Sequence, residues 1–478
     1  MLLDKVTKYL EEVKTLINKN ADFDCLALKY IKLNHSDFGI KDDCRTKYSR
    51  NSIITILVLF KLFATGSVHR TIINSDFKFI ISLGKDVLYK IKNSPLINWR
   101  SLLFKSASNG LNGLDIITDV YKPWTLPCFI IDDTDIVKRG RAIEFIGKMY
   151  SHVFHKWNFG FKSLNLCYWS GKNLLHLDFT FHKELGKDGK QGLKTAESKK
   201  RFTKKRIKGS YGEQRALEAD TKKPEQVVNM LRRAISKGFQ ASYVLCDSWF
   251  FSTKLLEYCQ ANNLQLVSRP KFNNWKYTYE GQTYSIGELV KKLQHKKAIK
   301  KWNKELKSHY MKIPVMFGNN NLSLFFYKER KRNSQWQAII STDKRIGAIQ
   351  VYKIYQNRWA IEVSFKELKQ HLGYGKCQSR DFDAHISDAT HALMAYNYLS
   401  HLKALENYTT IGGIFNEISK QWVKPSIMDR FWKYIYTILS EIAELFELSV
   451  NDLIEKLNTD INILSKCSSI FDKLTTET

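Results

Sequence analysis

Residues 162–184, KSLNLCYWSGKNLLHLDFTFHKE, hold two apolar runs rich in strand formers, split by SGKN. This is a hairpin signal, with Gly171 supplying the turn. Strand and helix patterns interleave around it. CFII (128–131) comes before, a short apolar run led in by Pro123 and Pro127. EQVVNMLRRAISKG (225–238) follows with helical spacing and a glycine at its end, a C-cap signal. Next are the apolar run of ASYVLC before Asp247, the helical KLLEYCQANN and the strand-like LQLVSRPK. Residues 270–350 alternate charged and aromatic groups with short strand-like runs such as HYMKIPVMF, LSLFFYKE and WQAIISTD. A helix is then predicted from about 350 to 371, stopping near Gly373, with helical patterning again from 380 to 475. The order predicts a mixed α/β core with helical additions at both ends.

The resulting division is a helical N-terminal region at 1–120, a core formed by 121–269 and 351–400, a β-rich insertion at 270–350, and a helical C-terminal region at 401–478. Residues 185–222, including SKKRFTKKRIK at 198–208, are polar and strongly basic and are expected to form an exposed loop. That loop could track a phosphate backbone or stay solvated.

At 478 residues the chain is too long for one small core. Its formal charge of +29 favours a polyanionic partner, because Lys and Arg displace condensed counterions from nucleic acid. The eight cysteines are scattered, with no CxxC spacing, which argues against a zinc site and a disulfide scaffold and for reduced thiols in the cytosol. The N-terminal MLLDKVTKYLEEVKTL lacks an apolar h-region, so no signal peptide is expected. IITILVLFKLFA (53–64) is short and broken by Lys61, and reads as a buried helix rather than a membrane span.

Three carboxylates stand where chemistry would want them. Asp132 and Asp247 follow apolar strand-like runs, and strand ends open onto the crevice where α/β sheets bind ligands. Glu362 lies within the predicted helix. Converging carboxylates hold Mg²⁺ or Mn²⁺, and two such ions suit phosphoryl transfer. The bland alternatives are turn-forming aspartates, with Asp247 an N-cap for the helix after it. On a helix advancing about 100° per residue, Tyr355, Arg358, Glu362 and Lys369 share a stripe roughly 60° wide, with Lys366 close by. Ile361, Phe365 and Leu368 form an adjoining apolar stripe. The i,i+4 pairs Arg358–Glu362 and Glu362–Lys366 would suffice for a solvated face. A phosphate along the stripe would account for the surplus of cations.

The spacing Y-(2)-R-(3)-E-(6)-K, formed by Tyr355, Arg358, Glu362 and Lys369, resembles the signature of bacterial DDE transposases of the insertion-sequence-four family. Its place after IIDDT and VLCDSWF and a long insertion is also similar to that family. The resemblance implies a ribonuclease-H-like core interrupted by a β-strand domain, and a reaction that cuts DNA at transposon ends and joins the 3′ ends to target DNA. It implies Asp132, Asp247 and Glu362 as ligands of two Mg²⁺ or Mn²⁺ ions, with Asp133 the alternative to Asp132. It implies phosphate contacts from Tyr355, Arg358 and Lys369, with Lys366 added from the wheel. A base-stacking tryptophan in the insertion is also implied; Trp275, Trp302 and Trp336 are candidates, Trp336 being preferred for its position before the strand leading to the helix. Where many members have Asp-Arg-Gly-Tyr, this chain has Asp247-Ser248-Trp249-Phe250. The expected partners are double-stranded DNA, both terminal inverted repeats and target, and a second copy in the DNA complex. No membrane is expected, and the location would be the bacterial cytoplasm, at the nucleoid. The alternatives are a metal-dependent nuclease without strand transfer and a catalytically silent DNA-binding derivative.

Overall fold

A computed structural model describes residues 50–62, 85–114, 121–151, 155–184, 189–271, 275–296, 299–331, 333–406 and 409–416. The expectations for KVTKYLEEVKTLI and for the helices beyond 416 lie outside these residues.

The described strands form one twelve-stranded mixed sheet. Its first part is β1 (Cys128–Lys138), β2 (Gly147–Ser151), β3 (Lys156–Trp169), β4 (Leu174–His182), β5 (Tyr243–Cys246) and β6 (Gln265–Ser268). β3 pairs antiparallel with β1 along one edge and with β2 and then β4 along the other. The β3–β4 hairpin turns at 170–173 as the sequence predicts, with Gly171 at φ +92°. β5 and β6 add to β1 in parallel. Parallel strands need a crossover, and the helices between supply it. β7 (Tyr277–Tyr279), β8 (Gln282–Tyr284), β9 (Lys301–Asn303), β10 (Ser308–Phe317), β11 (Asn320–Glu329) and β12 (Gln337–Ser341) follow. β12 pairs antiparallel with β6, so these strands extend the same sheet.

Alternation along the strands divides the side chains between two faces. Phe129, Ile131, Leu164, Leu166, Leu175, Leu177, Val244 and Leu266 join one large apolar cluster. α3 (Trp99–Asn109), α6 (Lys223–Ser236) and α7 (Thr253–Ala261) close this face, through residues such as Phe104, Met230 and Leu255. α1 (Arg50–Leu62), α2 (Lys85–Lys92), α4 (Thr195–Lys199), α5 (Tyr211–Glu218) and α8 (Ile286–Leu293) are the other α-helices among the described residues before the last strand. The opposite face is covered by α9 (Ala348–Gln356), α10 (Trp359–Gln370) and α11 (Phe382–Glu406).

α11 is buried on all sides from Phe382 to Leu402 although it carries many polar groups. Such a helix holds only if those groups find partners. Asp388 takes Lys61 and Lys92, Asn397 bridges His176 and Ser106, and Ser400 donates to the Leu174 carbonyl. No helix among the described residues is long and apolar enough to cross a membrane.

Three local expectations need correction. β1 does not stop at Asp132 but runs on to Lys138, because the polar residues Asp132–Asp135 remain paired with β3. The helix expected at 350–371 is two helices. At Asn357 and Arg358 the backbone tightens to i→i−3 bonds, and the Asn357 amide donates to the Trp124 carbonyl at 2.7 Å. The basic stretch 185–222 is not simply a loop, since it contains α4 and α5. Within it, Lys204 reaches Asp381 and Arg206 reaches Glu144 and Asp383, so these two cations are consumed inside the protein. Lys199, Lys200, Lys205 and Lys208 stay exposed.

Candidate active site

The site grows from the ends of two parallel strands. Ile131 of β1 lies opposite Cys246 of β5, and there the pairing stops. Asp132 and Asp247 are the next residues on each chain, so their backbones leave the pairing on neighbouring strands, about 4.8 Å apart. β1 continues beyond this point with β3 on one side only, which leaves a step in the sheet at Asp132.

Alternation then separates the adjacent aspartates. Asp132 and Thr134 face α10, where Arg358 Nη1 donates to Asp132 Oδ2 at 2.9 Å and Lys369 Nζ donates to Thr134 Oγ1 at 2.6 Å. Asp133 faces α6 and pairs with Lys223. Only Asp132 therefore lies on the face that carries Glu362. Arg358 also donates through Nη2 to Glu362, which places one guanidinium between two of the three acids. Burial pushes the Asp132 carboxyl up to about 7 despite Arg358, with Asp133 and Glu362 adding to the rise.

Asp247 is different. It is half-buried, and among the described residues its carboxylate has neither a hydrogen bond nor an ion pair. It does not cap the following helix; Ser252 does, accepting from the Leu255 N–H. Its backbone is held instead, the carbonyl accepting from the Phe250 N–H at 3.0 Å, while the Ser268 hydroxyl has its nearer acceptor in the Arg269 carbonyl at 3.1 Å. The Tyr355 hydroxyl donates to the carbonyl of Cys246, one residue upstream, at 3.4 Å. Tyr355 is buried, with Arg358 over its ring at 5.6 Å, so it braces the strand end and the guanidinium together.

The remaining predicted residues take no part in the contacts among Asp132, Arg358 and Glu362. Lys369 is partly buried beside Lys162 and Asp135, and burial lowers its pKa. Lys366 is exposed and forms no pair with Glu362, so only one of the two expected i,i+4 pairs is made. Trp336 and Trp275 pack against the large apolar cluster, and Trp275 is already stacked on Phe317 at 4.7 Å. Trp302 is more open, with His309 against its edge and Arg330 over its face.

Two aromatic residues close to the acids escape the sequence reading. Trp249 is 51% exposed, two residues after Asp247, with Lys223 over its ring at 4.7 Å. Lys223 thus ties Asp133 to Trp249. Trp359, beside Arg358, is 62% exposed. The available signal was their adjacency in sequence to the acid and the arginine.

An all-oxygen donor set of this kind suits Mg²⁺ or Mn²⁺ rather than zinc. Among the described residues, no three or more His, Cys, Asp or Glu side chains are drawn together tightly enough to hold a metal ion. The guanidinium of Arg358 occupies oxygen atoms of Asp132 and Glu362 that a cation would need. The donor chemistry fits, and Asp247 has a free carboxylate to contribute.

Residues 214–398 match the family model described as a transposase DDE domain. The match covers less than half of the chain, takes in Asp247, Tyr355, Arg358, Glu362 and Lys369, and begins after Asp132. No curated protein matches the chain.

Proposed function

We propose that the protein is a DDE transposase that cleaves the ends of its own element and joins the 3′ ends to target DNA. The match to a transposase domain suggests the function in general. The observation that carries the finer reading is the placing of Asp132 and Asp247 at the point where two parallel strands part, with Glu362 linked to Asp132 through Arg358. The order β4–β3–β1–β5–β6, three antiparallel strands followed by two parallel to β1, supports a ribonuclease-H-like core. The division into a core, an insertion at 270–350 and helical ends belongs to the same reading.

In this reading Asp132, Asp247 and Glu362 hold two Mg²⁺ or Mn²⁺ ions, whose chemistry is to activate the attacking oxygen and stabilise the leaving oxygen. Tyr355 and the Phe250 N–H hold the backbone at the end of β5, so that Asp247 is in place before substrate arrives. Arg358 neutralises Asp132 and Glu362 here, and in the loaded site its guanidinium would be available to a DNA phosphate. Lys369 and Lys366 supply further positive charge along α10. The net charge of +29 suits a long DNA contact, with a second copy pairing the two element ends.

The test is an end-processing assay with duplexes made from the DNA flanking the coding region, Mg²⁺ and a plasmid target. Joined products support the reading; cleavage without joining would assign a nuclease instead. Arg358→Ala gives a separate prediction. Removing the competing cation should tighten Mn²⁺ binding by about tenfold, since a charge a few ångströms away is worth more than about 1.4 kcal/mol at a partly screened site. The same variant should bind element ends more weakly. Titration with Mn²⁺ by calorimetry checks the first effect, and unchanged metal affinity would mean that Arg358 does not compete for the acids.

A further inference from the structure

Away from these acids, a cavity of about 230 Å³ lies among α3, α5, α6 and the start of α11. Arg100, Arg215, Arg233 and Lys237 line it. Beside it, on β4, is Asp178, wholly buried. Asp178 takes Arg100 Nε at 2.9 Å and Arg233 Nε at 2.8 Å, while Glu218 takes Arg100 Nη2 at 2.6 Å and Arg233 Nη1 at 3.4 Å. Three guanidiniums thus share two carboxylates. Arg233 Nη2 also stands 2.7 Å from Asp178, and Arg215 is left farthest from either carboxylate. Arg215 is only 5% exposed, its Nη1 donates to the Phe179 carbonyl, and its Nη2 has no acceptor among the described residues. Its nearest carboxylate oxygens stand off at 3.6 and 3.7 Å.

Other features of the wall point the same way. Trp99 lines the cavity and is 4% exposed, and its indole N–H also has no acceptor. Residues 98–101 and 211–212 bring the first turns of α3 and α5 to the cavity, where the helix dipole favours an anion although the Ser101 and Gly212 N–H groups already bond to Asn98 and to the Pro95 carbonyl. Asp383 is the one carboxylate in the lining, and it is already held by Lys204 and Arg206. A buried donor without an acceptor is costly, and a surplus buried cation more so. Burial and the neighbouring Arg100 push the Arg215 guanidinium down to about 9, as expected where negative charge is too scarce.

We infer that this cavity is a phosphate-binding site, in which the guanidiniums of Arg215, Arg100 and Arg233 grip a tetrahedral oxyanion under the first turns of α3 and α5. Planar guanidinium forks match phosphate oxygens in pairs, which an ammonium cannot do. Lys237 and Ser236, both exposed, form the rim through which the anion enters. The phosphate is either free inorganic phosphate or the terminal phosphate of a nucleic-acid strand. The inference does not depend on the role proposed for Asp132, Asp247 and Glu362.

Inorganic phosphate titrated into the full chain at constant ionic strength should bind at one saturable site and raise the melting temperature. Arg233→Gln and Lys237→Gln, both at the accessible side, should each weaken that binding, the first by about tenfold as one charge-assisted hydrogen bond is lost. Lys304→Gln, an exposed residue outside the cavity, should leave it unchanged. Displacement of phosphate by a 5′-phosphorylated oligonucleotide, and not by its unphosphorylated form, would identify a strand end as the source; no displacement would identify free phosphate. An adventitious ion only, seen as equal binding by wild type and both cavity variants or as no saturation at all, would overturn the inference.

Discussion

Asp247→Ala is expected to abolish metal-dependent DNA cleavage while leaving DNA binding largely intact. The reasoning starts from what the carboxylate does in the protein without metal. Asp132 and Glu362 are both engaged by Arg358, but the Asp247 carboxylate makes no hydrogen bond or ion pair among the described residues although it is half-buried at a strand end. Its removal therefore breaks no hydrogen bond or ion pair of that side chain among the described residues. The backbone that carries it stays held by the Phe250 N–H and by Tyr355, and Ser252 caps the next helix without its help. A folding defect is not the expected outcome, which makes the variant a clean test. The stabilisation that a bound cation gives a phosphoryl-transfer transition state is several kcal/mol, and each 1.4 kcal/mol is a decade in rate, so the loss should be about a thousandfold. Cleavage of a labelled element-end duplex measures the first effect and a gel-shift with the same duplex the second. An Asp247→Ala protein that still cuts at near wild-type rate would place the chemistry elsewhere.

The same residues explain why the site could be read only in part from the sequence. Asp247 was legible because CDSWF closes a short apolar run, and β5 does end at Cys246. The β3–β4 hairpin and the glycine after α6 were legible because turn chemistry is local. Asp132 misled, because four polar residues after CFII look like the end of a strand. Here they continue it, since each finds a remote partner: Asp132 with Arg358, Asp133 with Lys223, Thr134 with Lys369 and Asp135 with Lys162. These pairings span from 27 to 235 residues of chain, and no local pattern encodes them. Which of Asp132 and Asp133 faces the helix of Glu362 likewise needed the faces of β1, which follow from where α6 and α10 pack.

The helix wheel failed for a related reason. It assumed one unbroken helix, but Asn357 is drawn to the Trp124 carbonyl, and the tightened backbone puts Tyr355 on one helix and Glu362 on the next. Tyr355 turns inward to Cys246 rather than sharing an open stripe with the cations. The basic run 198–208 was misread because its two inward cations, Lys204 and Arg206, meet acids on α11 and in the segment after β1.

Asp178→Asn is expected to cost about 3–5 kcal/mol of stability, the usual penalty for removing one partner of a buried ionic cluster. Asp178 is wholly inside the protein and is the shared acceptor of Arg100 and Arg233, with Arg215 nearby. Asparagine keeps the shape but removes the charge, leaving Glu218 alone to answer three guanidiniums. The network joins α3, β4, α5 and α6, so the damage should appear in global unfolding by denaturant rather than in one frayed element. The pH dependence follows from the same contacts. Burial alone would raise the Asp178 carboxyl, but Arg100, Arg233 and Arg215 outweigh it and hold the group well below the ordinary carboxylate range. A depressed folded pKa means that the stabilisation is fully present above the unfolded value of about 3.9 and is lost as pH falls through the folded one. Wild type should therefore lose this contribution only in strong acid, and the difference between wild type and Asp178→Asn should shrink below about pH 4. Glu225→Gln offers the contrast: its pair with Lys254 is exposed on both sides, and its loss should change stability by less than about 1 kcal/mol at any pH. Equal effects from the two substitutions would mean that the Asp178 cluster is solvated rather than buried, and would remove the surplus of unanswered positive charge on which the phosphate site depends.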